Sequence, residues 1–330
     1  MRYTIKNNKY LFISWDGFDI RHKCYSEILD GKCQIIEKHY INRFRAFWAW
    51  FTKSFRTYHI IRKHNPKAIV TKNTHFVITL ASIIIKILLN KKLILDSHSC
   101  SFENGIHYPQ FLHRIFIQFA DLSIVTNKKH KKIVKNWGGK TQIINFPPIN
   151  YSNTKISNYP VSQGFNICYI QTFSSDEPYW EVVNAVTKLK NIKLYITGNP
   201  EKTKHALSKS EQIIHTGFLF RDKYLGLIQN SDIVIVLTTR ENTMQRGANE
   251  AVFMEKPVIT SNTSFLKKYF YKGCLHVDIN TEDISKGIKE MKINYQKYKK
   301  DVRKLQNELY KKNTLSVLEI DKKLFNNRSY

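Results

Sequence analysis

The chain has 330 residues, 42% of them hydrophobic, and 53 Lys and Arg against 26 Asp and Glu give a formal net charge of +27 at pH 7. That length suits two domains of ordinary size, and the apolar fraction is enough for real cores, which excludes a disordered chain. No stretch reaches the roughly 18 uncharged apolar residues of a membrane span, and Met1 to Tyr10 has no apolar signal-peptide region; the five Cys are scattered with no C-x-x-C pair, which speaks against a disulfide framework or a zinc site and for a reducing compartment.

In chain order, Tyr10 to Ser14 is an apolar run that predicts a first strand, followed by the turn Trp15-Asp16-Gly17-Phe18-Asp19 and a helix from about Arg21 to Leu29. Gln34 to Tyr40 is expected to be the second strand. From Arg43 to Lys63 the residues Phe44, Phe47, Trp48, Phe51, Phe55 and Tyr58 recur at helical spacing and form one aromatic face. Arg43, Arg45, Lys53, Arg56, Arg62 and Lys63 surround that face. Two readings fit: an interfacial helix whose Trp48, Trp50 and basic flank meet anionic lipid, or a helix packing its aromatics on a sheet. A single-stranded nucleic-acid surface is a weaker third, since no RNA- or DNA-binding pattern accompanies it.

Residues 1–150 carry 25 Lys and Arg against 8 Asp and Glu, a surplus of +17, and residues 151–330 carry 28 against 18, a surplus of +10. A field of that sign attracts polyanions, lipid headgroups or phosphate-bearing substrates; the alternative is that part of it reflects only a Lys-rich genomic bias. Ala68 to Thr71 and Leu93 to Asp96 predict strands on either side of a helix from Phe76 to Leu89. That helix is apolar enough to be buried. Asp96-Ser97-His98-Ser99 closes the second of these strands, and Ser101 to Gln110, with Glu103, reads as a loop. A helix from Phe111 to Ala120, a strand within Asp121 to Asn127, a helix from Lys128 to Trp137 and a strand from Thr141 to Ile144 complete a first domain. Asn145-Phe-Pro-Pro-Ile-Asn-Tyr-Ser-Asn153 reads as the linker.

The second half repeats the pattern. Phe165 to Ile170 predicts a strand; Gln171-Thr-Phe-Ser-Ser-Asp-Glu-Pro178 is a polar loop before a helix from Tyr179 to Lys188. Further strands are expected at Lys193 to Thr197 and within Ile213 to Leu219, then a short helix from Asp222 to Asn230. Ile233 to Leu237 is a strand buried on both faces. Thr238 to Thr243 is polar and offers Asn242 or Thr243 as the N-cap of a helix from Met244 to Phe253, which ends before Pro257; Val258 to Thr260 starts the next strand. This strand–loop–helix–strand places a helix N-terminus at the carboxyl edge of a parallel sheet, a position that suits phosphate. Arg240 and Arg246 lie beside it as point donors. Gly247 precedes Glu250 by three residues on nearly one helix face. Phe265 to Phe270 is expected to be helical, Leu275 to Val277 a last strand, and Asp283 to about Leu318 one long helix.

Glu250-Ala-Val-Phe-Met-Glu-Lys-Pro-Val-Ile-Thr resembles the nucleotide-sugar-binding segment of GT-B glycosyltransferases, close to the family-4-like enzymes of bacterial surface polysaccharide, O-antigen and capsule synthesis. The resemblance implies an α/β GT-B fold: two Rossmann-like domains with parallel sheets facing a central cleft. The corresponding division is an acceptor-side domain 1–148, a nucleotide-sugar domain 149–305, and a C-terminal helix 306–330 returning to the first. It implies that Glu250 holds the donor ribose hydroxyls, helped by Arg246, Arg240, Thr243 and Gly247. Contact with the donor sugar falls to Glu241 or Asn242, because the acid stands one place earlier than in the family. Asp16, with Gly17, and His98 are implied as cleft residues, His98 by its place after a strand where it can bond a sugar hydroxyl. Ile213-Ile-His-Thr-Gly-Phe-Leu219 is similar to the segment that holds the base, which gives Phe218 and Leu219 that role. Where relatives carry a basic pair for the pyrophosphate, this chain has Thr172, Ser174 and Ser175, whose hydroxyls and helix N-terminus take its place. Glu103 and the basic aromatic helix are assigned to the acceptor side.

The activity implied is transfer of a sugar from a nucleotide-sugar donor to a hydroxyl of a saccharide acceptor, polyprenyl-linked, at the inner face of the cell membrane, without a metal or another cofactor. No Asp-x-Asp metal pair appears. A nucleotide-sugar epimerase on the same fold and a non-enzymatic polyanion-binding protein are the alternatives; nucleic acid is not an expected partner of the enzyme.

Overall fold

The computed structural model describes residues 9–15, 17, 19–36, 43–73, 75–97, 99–102, 109–152, 154–202 and 207–325. The chain divides into two compact units, Met1–Pro148 with Lys311–Tyr330, and Ile149–Tyr310. Each is built on one six-stranded, all-parallel sheet covered by helices on both faces, which is the expected doubly wound α/β architecture.

In the first unit β1 (Tyr10–Ser14), β2 (Gly31–Ile35), β3 (Ala68–Asn73), β4 (Lys92–Ser97), β5 (Leu122–Val125) and β6 (Thr141–Ile143) lie in the order β2-β1-β3-β4-β5-β6. The period-2 alternation of β1 feeds two cores. Leu11 and Ile13 pack with α2 (Arg43–His64), α3 (Phe76–Leu89), α4 (Gln110–Phe119) and α5 (Lys128–Asn136). Tyr10 and Phe12 pack on the opposite face with Tyr25 of α1 (Ile20–Ile28) and with Val317 and Ile320 near the chain's end. Lys9 and Tyr10 both reach Asp321, at 2.6 and 2.7 Å.

The second unit orders β12-β11-β10-β7-β8-β9. Its strands are β7 (Phe165–Tyr169), β8 (Ile192–Thr197), β9 (Ile213–Gly217), β10 (Ile233–Val236), β11 (Val258–Ser261) and β12 (Cys274–Val277). Helices α6 (Tyr179–Thr187), α7 (Arg221–Asn230), α8 (Arg246–Phe253), α9 (Ser264–Tyr269), α10 (Thr281–Ile293) and α11 (Tyr295–Phe325) alternate with them or follow. α11 starts in the second unit and ends in the first.

Two sequence expectations need correction. The second strand begins at Gly31, opposite Tyr10, and ends at Ile35; residues 37–42 lie outside those described. Gly31 is required there because a Cβ would stand 2.5 Å from the Phe12 ring. The long C-terminal helix is two helices broken at Asn294, whose side chain folds back onto Glu290 while Tyr295 turns edge-on to Phe165 of β7. Helical periodicity runs through the break, so only packing reveals it.

Candidate functional site

In the second sheet the chain leaves β7 toward β8 on one side, while β10 pairs with β7 on the other. The loops after β7 and β10 therefore meet at the topological switch point, where open α/β sheets bind ligands. Asp176 ties these loops together. Its carboxylate accepts from the Thr238 hydroxyl at 2.5 Å and pairs with Arg240 at 3.4 Å, and its carbonyl accepts from Thr239 N–H at 2.9 Å. Burial works against its ionisation, but bonds from Ser174 and Thr238 and the Arg240 charge outweigh it and hold the carboxyl below the usual range.

The β7 loop folds around its own second acid. Glu177 accepts from the backbone N–H groups of Thr172 (2.7 Å) and Ser174 (3.1 Å) and from the Thr172 hydroxyl (3.1 Å). The Ser174 hydroxyl donates to Asp176 at 2.6 Å. The donors assigned from sequence to phosphate thus already serve carboxylates, leaving Ser175 exposed at the loop tip. Burial is the largest influence on Glu177 and pushes its carboxyl up, beyond what these bonds recover.

Helix α8 carries the centre of the site. It starts at Arg246 with Gln245 as N-cap and no side-chain cap bond, so Asn242 and Thr243 are not the caps expected. Instead Asn242 adopts a left-handed conformation (φ 57°) in the turn that delivers the chain to the helix, beside an exposed Glu241. Gly247 abuts the end of β7: a Cβ would sit 2.9 Å from Ile170 Cγ2. Glu250 is 1% exposed. It accepts from Tyr224 Oη at 2.8 Å and Arg246 Nε at 3.1 Å, with Arg221 Nη1 at 3.4 Å. Two cations and a phenol therefore compensate one buried carboxylate. Sequence reasoning missed Arg221 and Tyr224. Their spacing of three residues at the start of α7 puts both on one helix face and was the available signal. Just before them Phe218 and Phe220 are 72% and 74% exposed, with their rings edge to face at 5.9 Å; Leu219 is half-buried.

In the first unit, Asp16, His98 and Glu103 lie outside the described residues. The strand end and the 3-10 turn Ser99–Phe102 on either side of His98 are held by a buried polar network. Asn73 Nδ2 donates to Ser97 Oγ (3.0 Å) and faces His113 Nε2 (2.9 Å), Thr79 donates to Asn73 Oδ1 (2.9 Å), and Ser101 bridges to Asn73 O and His113 Nδ1. The Phe102 ring stacks on His130 at 4.2 Å. Burial is the main cause that lowers both His113 and His130 to about 4, so both are neutral at pH 7. Arg43 and Arg45 belong to α2, but their side chains lie outside the described residues. Trp48 faces solvent. Trp50, expected to meet lipid or acceptor, is half-buried and packs against His75 at 5.3 Å and Phe76 at 6.3 Å. The helical period explains this, because Trp50 flanks the buried stripe Ala49, Lys53, Thr57 and Ile61, whereas Trp48, Phe51 and Phe55 lie opposite. Among the described residues no group of three His, Cys, Asp or Glu side chains is placed to hold a metal ion.

Residues 166–291, from β7 to α10, match the family model described as Glycosyl transferases group 1. No curated protein matches the chain. Among solved structures it is similar to the sucrose-phosphate synthase of Thermosynechococcus elongatus (14% identity, TM-score 0.71, covering 96% of this chain and 99% of that one). It is also similar to Anabaena HepE in complex with UDP-glucose (12%, TM-score 0.69, 95% and 99%). A Listeria monocytogenes protein provisionally described as a UDP-N-acetylglucosamine 2-epimerase shares the architecture as well (14%, TM-score 0.64, 97% of each chain). At these identities the likeness establishes the fold. Residues 166–291 thus match the glycosyl transferases group 1 model, within a chain that has the two-domain Rossmann-like α/β fold of these solved structures.

Proposed function

We propose that this protein transfers a sugar from a nucleotide-sugar donor to a hydroxyl of a saccharide acceptor. The observation that carries the reading is the buried carboxylate of Glu250, fixed by Tyr224, Arg246 and Arg221 in a group 1 domain. A carboxylate has about four acceptor sites, so Glu250 keeps capacity for a ribose hydroxyl, more so when the half-exposed Arg246 turns away. Arg246, Arg221 and Arg240 with the N-terminal turn of α8 meet the charge that builds on the departing diphosphate. Glu241 or Asn242 and, from the first unit, His98 and Asp16 are the residues proposed for the transferred sugar and the attacking hydroxyl. No metal or cofactor is part of the reading. Since HepE is seen with UDP-glucose, UDP-sugars are the first donors to test.

The finer reading is a polyprenyl-linked acceptor met at the inner face of the cell membrane, in surface polysaccharide synthesis of the O-antigen or capsule type. It is supported by the basic first half and the exposed aromatics of α2.

Thermal unfolding is to be followed with UDP, GDP, CMP and their sugars on the wild type, Glu250→Ala and the shape-conserving Glu250→Gln. Stabilisation by one nucleotide class, lost in both folded variants, is expected. Release of isomerised donor without any acceptor would point to an epimerase. Stabilisation by RNA with none by any nucleotide would replace the enzyme by a polyanion-binding protein.

A further inference from the structure

Apart from Thr79, Ser82 and Lys86, helix α3 is apolar, and a helix of that composition is ordinarily buried all round. Here it is not. Its inner face packs into the sheet, but Leu80, Ile84, Ile87 and Leu88 point outward, the last two 64% and 66% exposed. No other position of α3 is exposed, so its outer face is wholly apolar. On one side α3 packs against α2, which adds the exposed stripe Trp48, Phe51 and Phe55. On the other it packs against α4, which adds Phe111, Ile115 and Phe119; Lys86 fastens the two by donating to Phe119 O at 2.6 Å. Three neighbouring helices on one face of the sheet thus present ten exposed apolar side chains, and contiguous exposed apolar surface of that kind marks an interaction site.

We propose that this three-helix face is the membrane-docking surface of the protein, seated in the interfacial layer of an anionic bilayer with its helices lying in the membrane plane. The proposal deepens the membrane reading above and rests on it. Charge selects the occupant. Between Glu37 and Asp96, a span that includes both α2 and α3, the sequence has no Asp or Glu, and the exposed Arg56, Arg62, Lys63 and, on α4, Arg114 border the apolar residues. Asp121, the acid just past the end of α4, is paired with Lys86 and Lys92, so apolar side chains with Trp and Phe, fringed by exposed cations, match the acyl boundary and anionic headgroups together. Among the described residues no helix is long and apolar enough to cross the membrane, which fits in-plane seating. α3, rather than the basic aromatic α2 alone, is then the centre of the surface.

Co-sedimentation of the full chain with vesicles of two parts phosphatidylcholine to one part phosphatidylglycerol tests this. The variants are Ile87→Asp/Leu88→Asp and Arg56→Ala/Arg62→Ala, each checked for an unchanged Tm and wild-type nucleotide binding. The apolar double variant is expected to lose at least about tenfold in partitioning at both low and high salt, and the basic variant to lose mainly at low salt. If the apolar variant sediments like the wild type while the basic variant does not, the three-helix face is overturned and a purely electrostatic membrane contact survives. Wild-type protein that ignores vesicles but binds nucleotide sugar overturns both, leaving the transferase reading intact. A wild-type dimer that these aspartates convert to monomer, with no vesicle binding, reassigns the face to self-association.

Discussion

Tyr224 Oη donates to Glu250 Oε2 at 2.8 Å across the gap between α7 and α8, linking two helices that both point their N-terminal turns at the carboxyl edge of the second sheet. Burial, then the neighbouring Glu250 charge, push the Tyr224 hydroxyl far above its ordinary range, so it donates at any physiological pH. Tyr224→Phe should cost about 1.5–3 kcal/mol, the worth of a hydrogen bond to a charged group. Combined with Glu250→Gln, the two losses should be non-additive by about 1 kcal/mol or more in urea melts. Additivity within roughly 0.3 kcal/mol would show the pair to be uncoupled.

Gly247→Ala is a test of close packing. The new methyl meets Ile170 at 2.9 Å, which forces α8 or the end of β7 to move. A loss of about 1–3 kcal/mol is expected, with weaker nucleotide binding because the Arg246 turn shifts too. Adding Ile170→Val should recover part of both. Full wild-type stability of the single variant contradicts the packing argument.

Asp176 is the clasp of the switch-point loops through Thr238, Thr239 and Arg240. Asp176→Ala frees the β10 loop that carries Glu241 and Asn242. Calorimetric titration should show nucleotide-sugar affinity falling several-fold, with the Tm nearly kept, since the loop is peripheral to the core. Unchanged affinity would remove the clasp from the site.

Acid sensitivity should come from the first unit. His113 and His130 have folded pKa values lowered to about 4 from 6.5. Between those values the unfolded chain binds more protons, so stability rises with pH through that window and is lost as pH falls from 6.5 toward 4. Each His contributes on the order of 3 kcal/mol over the full window. The wild-type Tm should drop steeply from pH 6.5 to 4.5, and His113→Asn with His130→Phe should flatten the slope. A slope unaffected by both changes assigns the acid sensitivity elsewhere.

Local signals determined most of the scaffold. Apolar runs bounded by turn residues located nearly every strand, because a strand buried on both faces needs an unbroken apolar run whatever its neighbours are; α3 was placed at Phe76–Leu89 to the residue. The stretch from β10 to β11 was recognisable because a helix N-terminus at a sheet edge and a Glu about one turn inside it are written in adjacent residues. What no local pattern holds is the set of partners. Arg221 and Tyr224 reach Glu250 from 29 and 26 positions away, and Glu177 claims the donors of its own loop, because sheet order brings distant segments to one edge. Likewise, periodicity identified an aromatic face on α2 and an apolar α3 but not which side met the core. The winding of the chain around the first sheet decided that, turning Trp50 inward and Ile87 and Leu88 outward. Amphipathicity is a property of one helix; burial is a property of its neighbours.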